Sequence, residues 1–186
     1  MAFSFNISSF LTVQNGGVTL NQSGEMWIKV GIKPPKTSLL GITMLLGEYN
    51  HTLDNKGRMA IPAKFKDVLG TGAIITRGLD NCLFLFAAKE WQTLVEKLMA
   101  LPLAQANSRA FVRLMLAGAM DVTVDNQGRI LIPDYLRKYG GLKKEVTIAG
   151  LHNRAEIWDS ERWQEYKRKT EGASEEIAEK LGELGI

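Results

Sequence analysis

From residue 48 onward, apolar and polar positions follow short regular patterns that glycines and prolines interrupt. Residues 48–53 alternate loosely and predict a strand. Asp54-Asn55-Lys56-Gly57 predicts a tight turn, because Asp and Asn side chains bond nearby backbone and Gly tolerates positive φ. Residues 58–61 return as a strand. Pro62 ends that strand and suits the start of a helix over 63–69, which Gly70 closes. Residues 73–76 and 83–86 are β-prone, and the turn at 79–81 joins them into a predicted hairpin. The period then lengthens. Trp91, Leu94, Val95 and Leu98 recur at helical spacing across 89–101, up to Pro102. A further helix is predicted over 104–119, with Phe111, Leu114 and Met115 on one side and Arg109 and Arg113 on another.

The same series then runs again. A strand at 122–124 leads into a turn at Asp125, a strand at 130–132, a helix at 134–139 and a hairpin from 145–149 and 156–158. Ser160 is the predicted N-cap of a helix through Trp163 and Tyr166 to about residue 170. From Ser174, Ile177, Leu181 and Leu184 form an apolar stripe, too short to hold a helix alone. The correspondence reaches single residues. DNKGRMAIP, from Asp54, returns as DNQGRILIP from Asp125, 71 positions later. Gly78, Leu79, Asn81 and Trp91 return as Gly150, Leu151, Asn153 and Trp163, 72 positions later, which implies one residue gained or lost between Pro62 and Gly78. The chain is therefore an internal duplication. Its copies lie at 48–90 and 119–162, with a helical connector at 91–118 and a helical tail at 163–186. Stacked arrays need three or more units, and each copy is too small to bury a core comfortably. One shared core with a pseudo-twofold axis is the expected solution, in an α+β fold.

Composition narrows the partners. The 186 residues are 45% hydrophobic and 23% charged, with net charge +3, as in ordinary globular proteins. Residues 105–170 hold 12 basic against 8 acidic residues, whereas 171–186 hold one against five. A mildly basic body suits nucleic acid, although many proteins that never meet it share that bias. The lone Cys82 excludes an intramolecular disulfide and a multi-Cys metal site. His51 and His152 are the only imidazoles, so neither metal nor cofactor is expected. No apolar run nears the roughly 18 residues of a membrane span, and a cytoplasmic setting follows. Residues 1–43 lack useful periodicity and a basic signal-peptide start, and Pro34-Pro35 breaks structure before Met44. They are expected to be a disordered leader, or upstream sequence translated from a mis-assigned start.

The order strand, Asp-x-x-Gly-Arg turn, strand-Pro, short helix and hairpin resembles the SpoVT/AbrB-type DNA-binding domain. Two such copies around a helical pair, with LHNRAEIWD at 151–159 and the matched Trp91 and Trp163, resemble the MraZ family of transcriptional regulators. The resemblance covers residues 44 to about 170. It implies a pseudo-twofold, swapped-hairpin β-barrel built from both copies, with flanking helices. It also implies a ring-shaped homo-oligomer, associated with the nucleoid. Its target would be double-stranded DNA with direct repeats upstream of its own division and cell-wall gene cluster. A protein encoded by a neighbouring gene stays open as a further partner.

The turn residues suit that task. Arg58 offers a planar fork for guanine or phosphate, Lys56 a point charge for phosphate, and Asn55 a donor and acceptor. Gly57 allows close backbone approach, and Lys64 follows on the short helix. The resemblance places DNA contact on this first turn. Asp54, Asp125, Gly128 and Arg129 are read as structuring the turns, and Gln127 in place of Lys56 removes a charge from the second. The plain alternative for each arginine is a salt bridge to its own aspartate, and for Lys64 and Lys66 a solvated helix face. Paired aspartates also suggest an aspartic-protease dyad, but the following Asn and nearby Arg oppose proton sharing, and no enzyme is expected. A protein-binding assembly or antitoxin-like module on the same barrel is the other alternative.

Overall fold

The computed structural model describes residues 18–20, 26–28 and 44–185. The chain divides into two units, 1–41 and 42–186. In the first, β1 (Val18–Leu20) and β2 (Met26–Ile28) pair as a short antiparallel ribbon. The leader's scattered apolar residues did not signal that ribbon. The rest of the expected leader lies outside the described residues.

In the second unit the elements are β3 (Leu45–Thr52), β4 (Arg58–Ala60), α1 (Ala63–Leu69), β5 (Gly72–Arg77) and β6 (Leu83–Phe86). There follow α2 (Ala88–Met99) and α3 (Ala106–Leu116). The second series is β7 (Met120–Thr123), β8 (Arg129–Leu131), α4 (Asp134–Gly140), β9 (Glu145–His152) and β10 (Ala155–Asp159). Helices α5 (Ser160–Gly172) and α6 (Ser174–Gly182) close the chain. The fold is mixed α+β: an antiparallel six-stranded sheet, a two-stranded ladder and, among the described residues, six helices.

The sheet order is β3-β9-β10-β6-β5-β7. Exchanging each strand for its counterpart in the other copy gives the same order read backwards, as a pseudo-twofold axis requires. At the sheet centre Phe84 faces Glu156, its own counterpart. In the β4–β8 ladder Met59 faces Ile130, again its counterpart. Both central ladders therefore cross between copies. The registers also revise the expected single-residue change. Ile75 faces Leu85 and Ile148 faces Ile157, so Ile148 takes the place of Ile75, 73 positions on. The link after α4 is longer than that after α1, and the β9–β10 turn is shorter than the β5–β6 turn. Two opposite changes hide behind the net one-residue shift of the matched glycines.

Strands β6 and β10 are buried along their whole length, and alternate residues serve two apolar layers. Leu83, Leu85, Ala155 and Ile157 face the larger core with Met59, Ile61, Phe65, Ile130, Ile132 and Leu136. Phe84, Phe86 and Trp158 face a second layer with Leu98, Met115 and the helix residues Trp91 and Trp163. Each such buried Leu, Ile or Phe contributes about 1.5–3 kcal/mol of transfer free energy. Glu156 lies buried in that second layer. It accepts from Arg154 Nε and Nη2 at 3.2 and 3.1 Å and from Trp158 Nε1 at 3.1 Å, which offsets its desolvation.

Local signals moved by a residue or two. Asp159, not Ser160, caps α5: its carboxylate accepts from the Arg162 amide, while Ser160 Oγ lies 3.0 Å from Thr147 Oγ1. The expected helix over 104–119 forms only as α3, and Arg109 Nη1 donates to the Leu103 and Ala104 carbonyls before it. Trp91 packs on Phe86 and Trp163 on Trp158, so the copies stay equivalent into α2 and α5.

Candidate functional site

Both turns close by one plan. The Asp54 amide donates to the Arg58 carbonyl at 2.9 Å, and the Gly57 amide to the Asp54 carbonyl at 2.8 Å. Asp54 Oδ1 accepts from the Lys56 and Arg58 amides at 2.8 and 2.9 Å. Asp125 accepts from the Gln127 and Arg129 amides, each at 2.9 Å. Gly57 and Gly128 have φ of 78° and 74°, where any side chain is strained. The turns adjoin: the Ile61 amide donates to Gly128 O and the Ile132 amide to Gly57 O, each at 2.9 Å. Asp54 and Asp125 each accept from two backbone amides of their own turn.

The arginines differ. Arg58 Nε donates to Asp54 Oδ2 at 2.6 Å, and its two terminal nitrogens bond no described residue. Arg129 holds Asp125 Oδ2 with Nε at 3.0 Å and Nη2 at 2.8 Å, and its Nη1 lies 3.9 Å from Asp54 Oδ2. The expected salt bridge is thus present in both copies, but it occupies one edge of Arg58 and most of Arg129. The carboxylates register the same contrast. Asp54 is held at about 2, first by the Arg58 amide and then by its guanidinium. Asp125 is also lowered, with the Arg129 side chain as the leading cause. Both stay ionised at neutral pH, opposite to the proton sharing an acid dyad needs.

The surroundings deepen the asymmetry. Asn55 and Lys56 are exposed at the first tip, and Lys64 is exposed on α1. Among the described residues neither lysine forms an ion pair, whereas Arg137 and Lys138 of α4 both pair with Asp134, at 3.4 and 2.7 Å. Two neighbours escaped the sequence reading of the site. A Cβ on Gly57 would stand 2.7 Å from Arg137 Cζ, and one on Gly128 would meet the end of Lys66. Each turn glycine thus lies under a basic side chain from the other copy's short helix. Lys66 and Arg137 are 71 positions apart, and that matched basic pair was the available signal.

A family model described as "MraZ protein, putative antitoxin-like" matches residues 44–114 and again 115–183. The chain belongs to the MraZ family. Its relatives include proteins named transcriptional regulator MraZ. Those of Caldicellulosiruptor saccharolyticus and Caldanaerobacter subterraneus subsp. tengcongensis are 52% and 50% identical over 143 residues, 77% of this chain and 100% of each relative. That of Moorella thermoacetica is 48% identical over the same shares. The first family match begins at Met44, beside the start of the second unit at Ile42. No helix among the described residues is long and apolar enough to cross a membrane.

Proposed function

We propose that this protein is a sequence-specific DNA-binding transcriptional regulator and that its first turn reads the DNA. The observation that carries this reading is the single-edge anchoring of Arg58. Its guanidinium is aimed by Asp54, and its two terminal nitrogens bond no described residue; Asn55 and Lys56 are exposed on the same turn and Lys64 on α1, with neither lysine in an ion pair among the described residues. Two parallel N–H donors on a fixed plane match the O6 and N7 acceptors of guanine, and the lysines suit phosphate. The relatives' names support the regulatory part of this reading.

In the proposed assembly the sheet and the β4–β8 ladder close into a barrel of hairpins swapped between copies. The reversible strand order supports this. Protomers form a ring that presents many first turns, so modest contacts gain by multivalency on direct repeats spaced near a helical turn of about 10 base pairs. The repeats lie upstream of the chain's own division and cell-wall gene cluster, and the protein acts in the cytoplasm at the nucleoid. The protein-binding alternative draws on α6, where Ile177 and Leu181 remain exposed. Residues 1–43 are proposed to be dispensable, so a chain begun at Met44 should match the longer chain in melting and DNA binding.

The deciding experiment is Arg58→Ala in a gel shift on the upstream repeats, with a size-exclusion profile. Specific binding should vanish while the oligomer persists, and wild-type affinity should fall steeply with salt. Undiminished binding by the variant, or affinity flat across salt, would overturn the reading.

A further inference from the structure

We infer that Arg137, from the second copy, is a positioning residue for the DNA-reading turn of the first. The inference rests on the proposed reading of DNA by Arg58. Its geometry does not. Gly57 is buried at the turn, and the Arg137 guanidinium covers the face where a side chain would project, with Cζ, Nε and Nη1 2.7–2.8 Å from an ideal Cβ position. Arg137 Nε is buried and bonds no described residue. Its Nη2 is 3.4 Å from Asp134 Oδ1. Arg137 is thus held by its pair with Asp134 and by packing, with Nε bonding no described residue. The surface it packs on is the peptide that precedes Arg58. The Gly57 carbonyl accepts from the Ile132 amide at 2.9 Å, also from the second copy. The turn that presents Arg58 is therefore held by a backbone amide and a side chain that its own copy does not supply.

The counterpart is weaker. Lys66 lies over Gly128 with the end of a flexible chain, which cannot stack as a plane. The planar guanidinium falls on the turn whose arginine has terminal nitrogens that bond no described residue, and the flexible lysine on the turn whose arginine is held twice by Asp125.

The salt dependence separates positioning from direct phosphate contact, because only a phosphate contact enters the salt slope. The test uses the full chain with Arg137→Ala and Arg137→Gln, the latter keeping a flat side chain. In the free protein, amide hydrogen exchange across residues 54–60 should quicken in Arg137→Ala and less in Arg137→Gln. Affinity for the upstream repeats should fall about tenfold in Arg137→Ala, the scale of one lost base contact, with an unchanged salt slope and little change on unrelated DNA. Unchanged exchange would overturn the positioning role whatever the DNA result. Equal losses on specific and unrelated DNA, with a slope lower by about one, would make Arg137 a phosphate contact instead. If Arg137→Ala fails to fold, Arg137→Gln decides by the same criteria. Arg58→Ala in parallel isolates the parent reading: quickened exchange in Arg137→Ala alongside normal binding by Arg58→Ala would keep the positioning of the turn and remove its role in DNA reading.

Discussion

The two turns share Asp, Asn, Gly and Arg and close with the same backbone bonds, yet they hold their arginines differently. The first fixes Arg58 through Nε alone, and the second grips Arg129 through Nε and Nη2. Identical motifs thus yield one guanidinium whose terminal nitrogens bond no described residue and one held by two of its nitrogens. The difference comes from side-chain surroundings, including the approach of Arg129 Nη1 to Asp54 of the other copy. A motif fixes how a loop is built, and its neighbours decide what the loop is free to touch.

The largest test of this contrast compares Arg58→Ala with Arg129→Ala. The first should abolish specific binding, since every first turn in the oligomer loses a bidentate base contact of about 1–3 kcal/mol. The second should retain most binding but melt at a lower temperature. Equal losses would erase the division between the turns. Next come the glycines. Gly57→Ala and Gly128→Ala each force a side chain to positive φ, at about 1–2 kcal/mol of stability by urea titration. Only Gly57→Ala should add a loss of DNA binding.

A charge exchange tests the tips more gently. Lys56→Gln should weaken binding several-fold and lower the salt slope by about one, whereas Gln127→Lys should leave the slope unchanged. The smallest effect is with pH. Asp54 has a depressed folded pKa, so its ionised bonds stabilise the turn above the ordinary carboxylate pKa of about 4. That contribution is lost as pH falls through about 2. Amide resonances of Lys56 and Arg58 should stay constant from neutral pH to about 5 and shift with a midpoint near 2. A midpoint at an ordinary carboxylate value would show that Asp54 is not held as described.

Local chemistry announced much of this fold. The turns, the short helices after Pro62 and Pro133 and the two hairpins all follow from residue types within a few positions. Contacts between copies were harder to see. Nothing adjacent in sequence to Gly57 points to Arg137, and nothing near Asp54 points to Arg129, because both contacts depend on how the ladders cross the axis. The same holds for the 73-position shift between β5 and β9. The matched glycines count net insertions, and only strand register separates a gain from a loss. For Arg58 the sequence offered two readings, base contact or salt bridge; the salt bridge takes up one edge of the side chain, and the base contact is proposed for the other.

At the sheet centre, Phe84 stands opposite Glu156 where each residue meets its own counterpart. In a dimer of identical chains that position would set Phe against Phe or Glu against Glu, and like charges directly opposite destabilise a ladder. Joining the copies in one chain removes that constraint. Glu156 faces an aromatic ring, Arg154 bonds the carboxylate, and the Arg154 guanidinium lies 4.8 Å from the Phe84 ring centroid. This three-residue arrangement needs two unlike halves. Covalent fusion opened to this protein a set of core sequences closed to any symmetric pair of its parts, and the unequal turns draw on the same freedom.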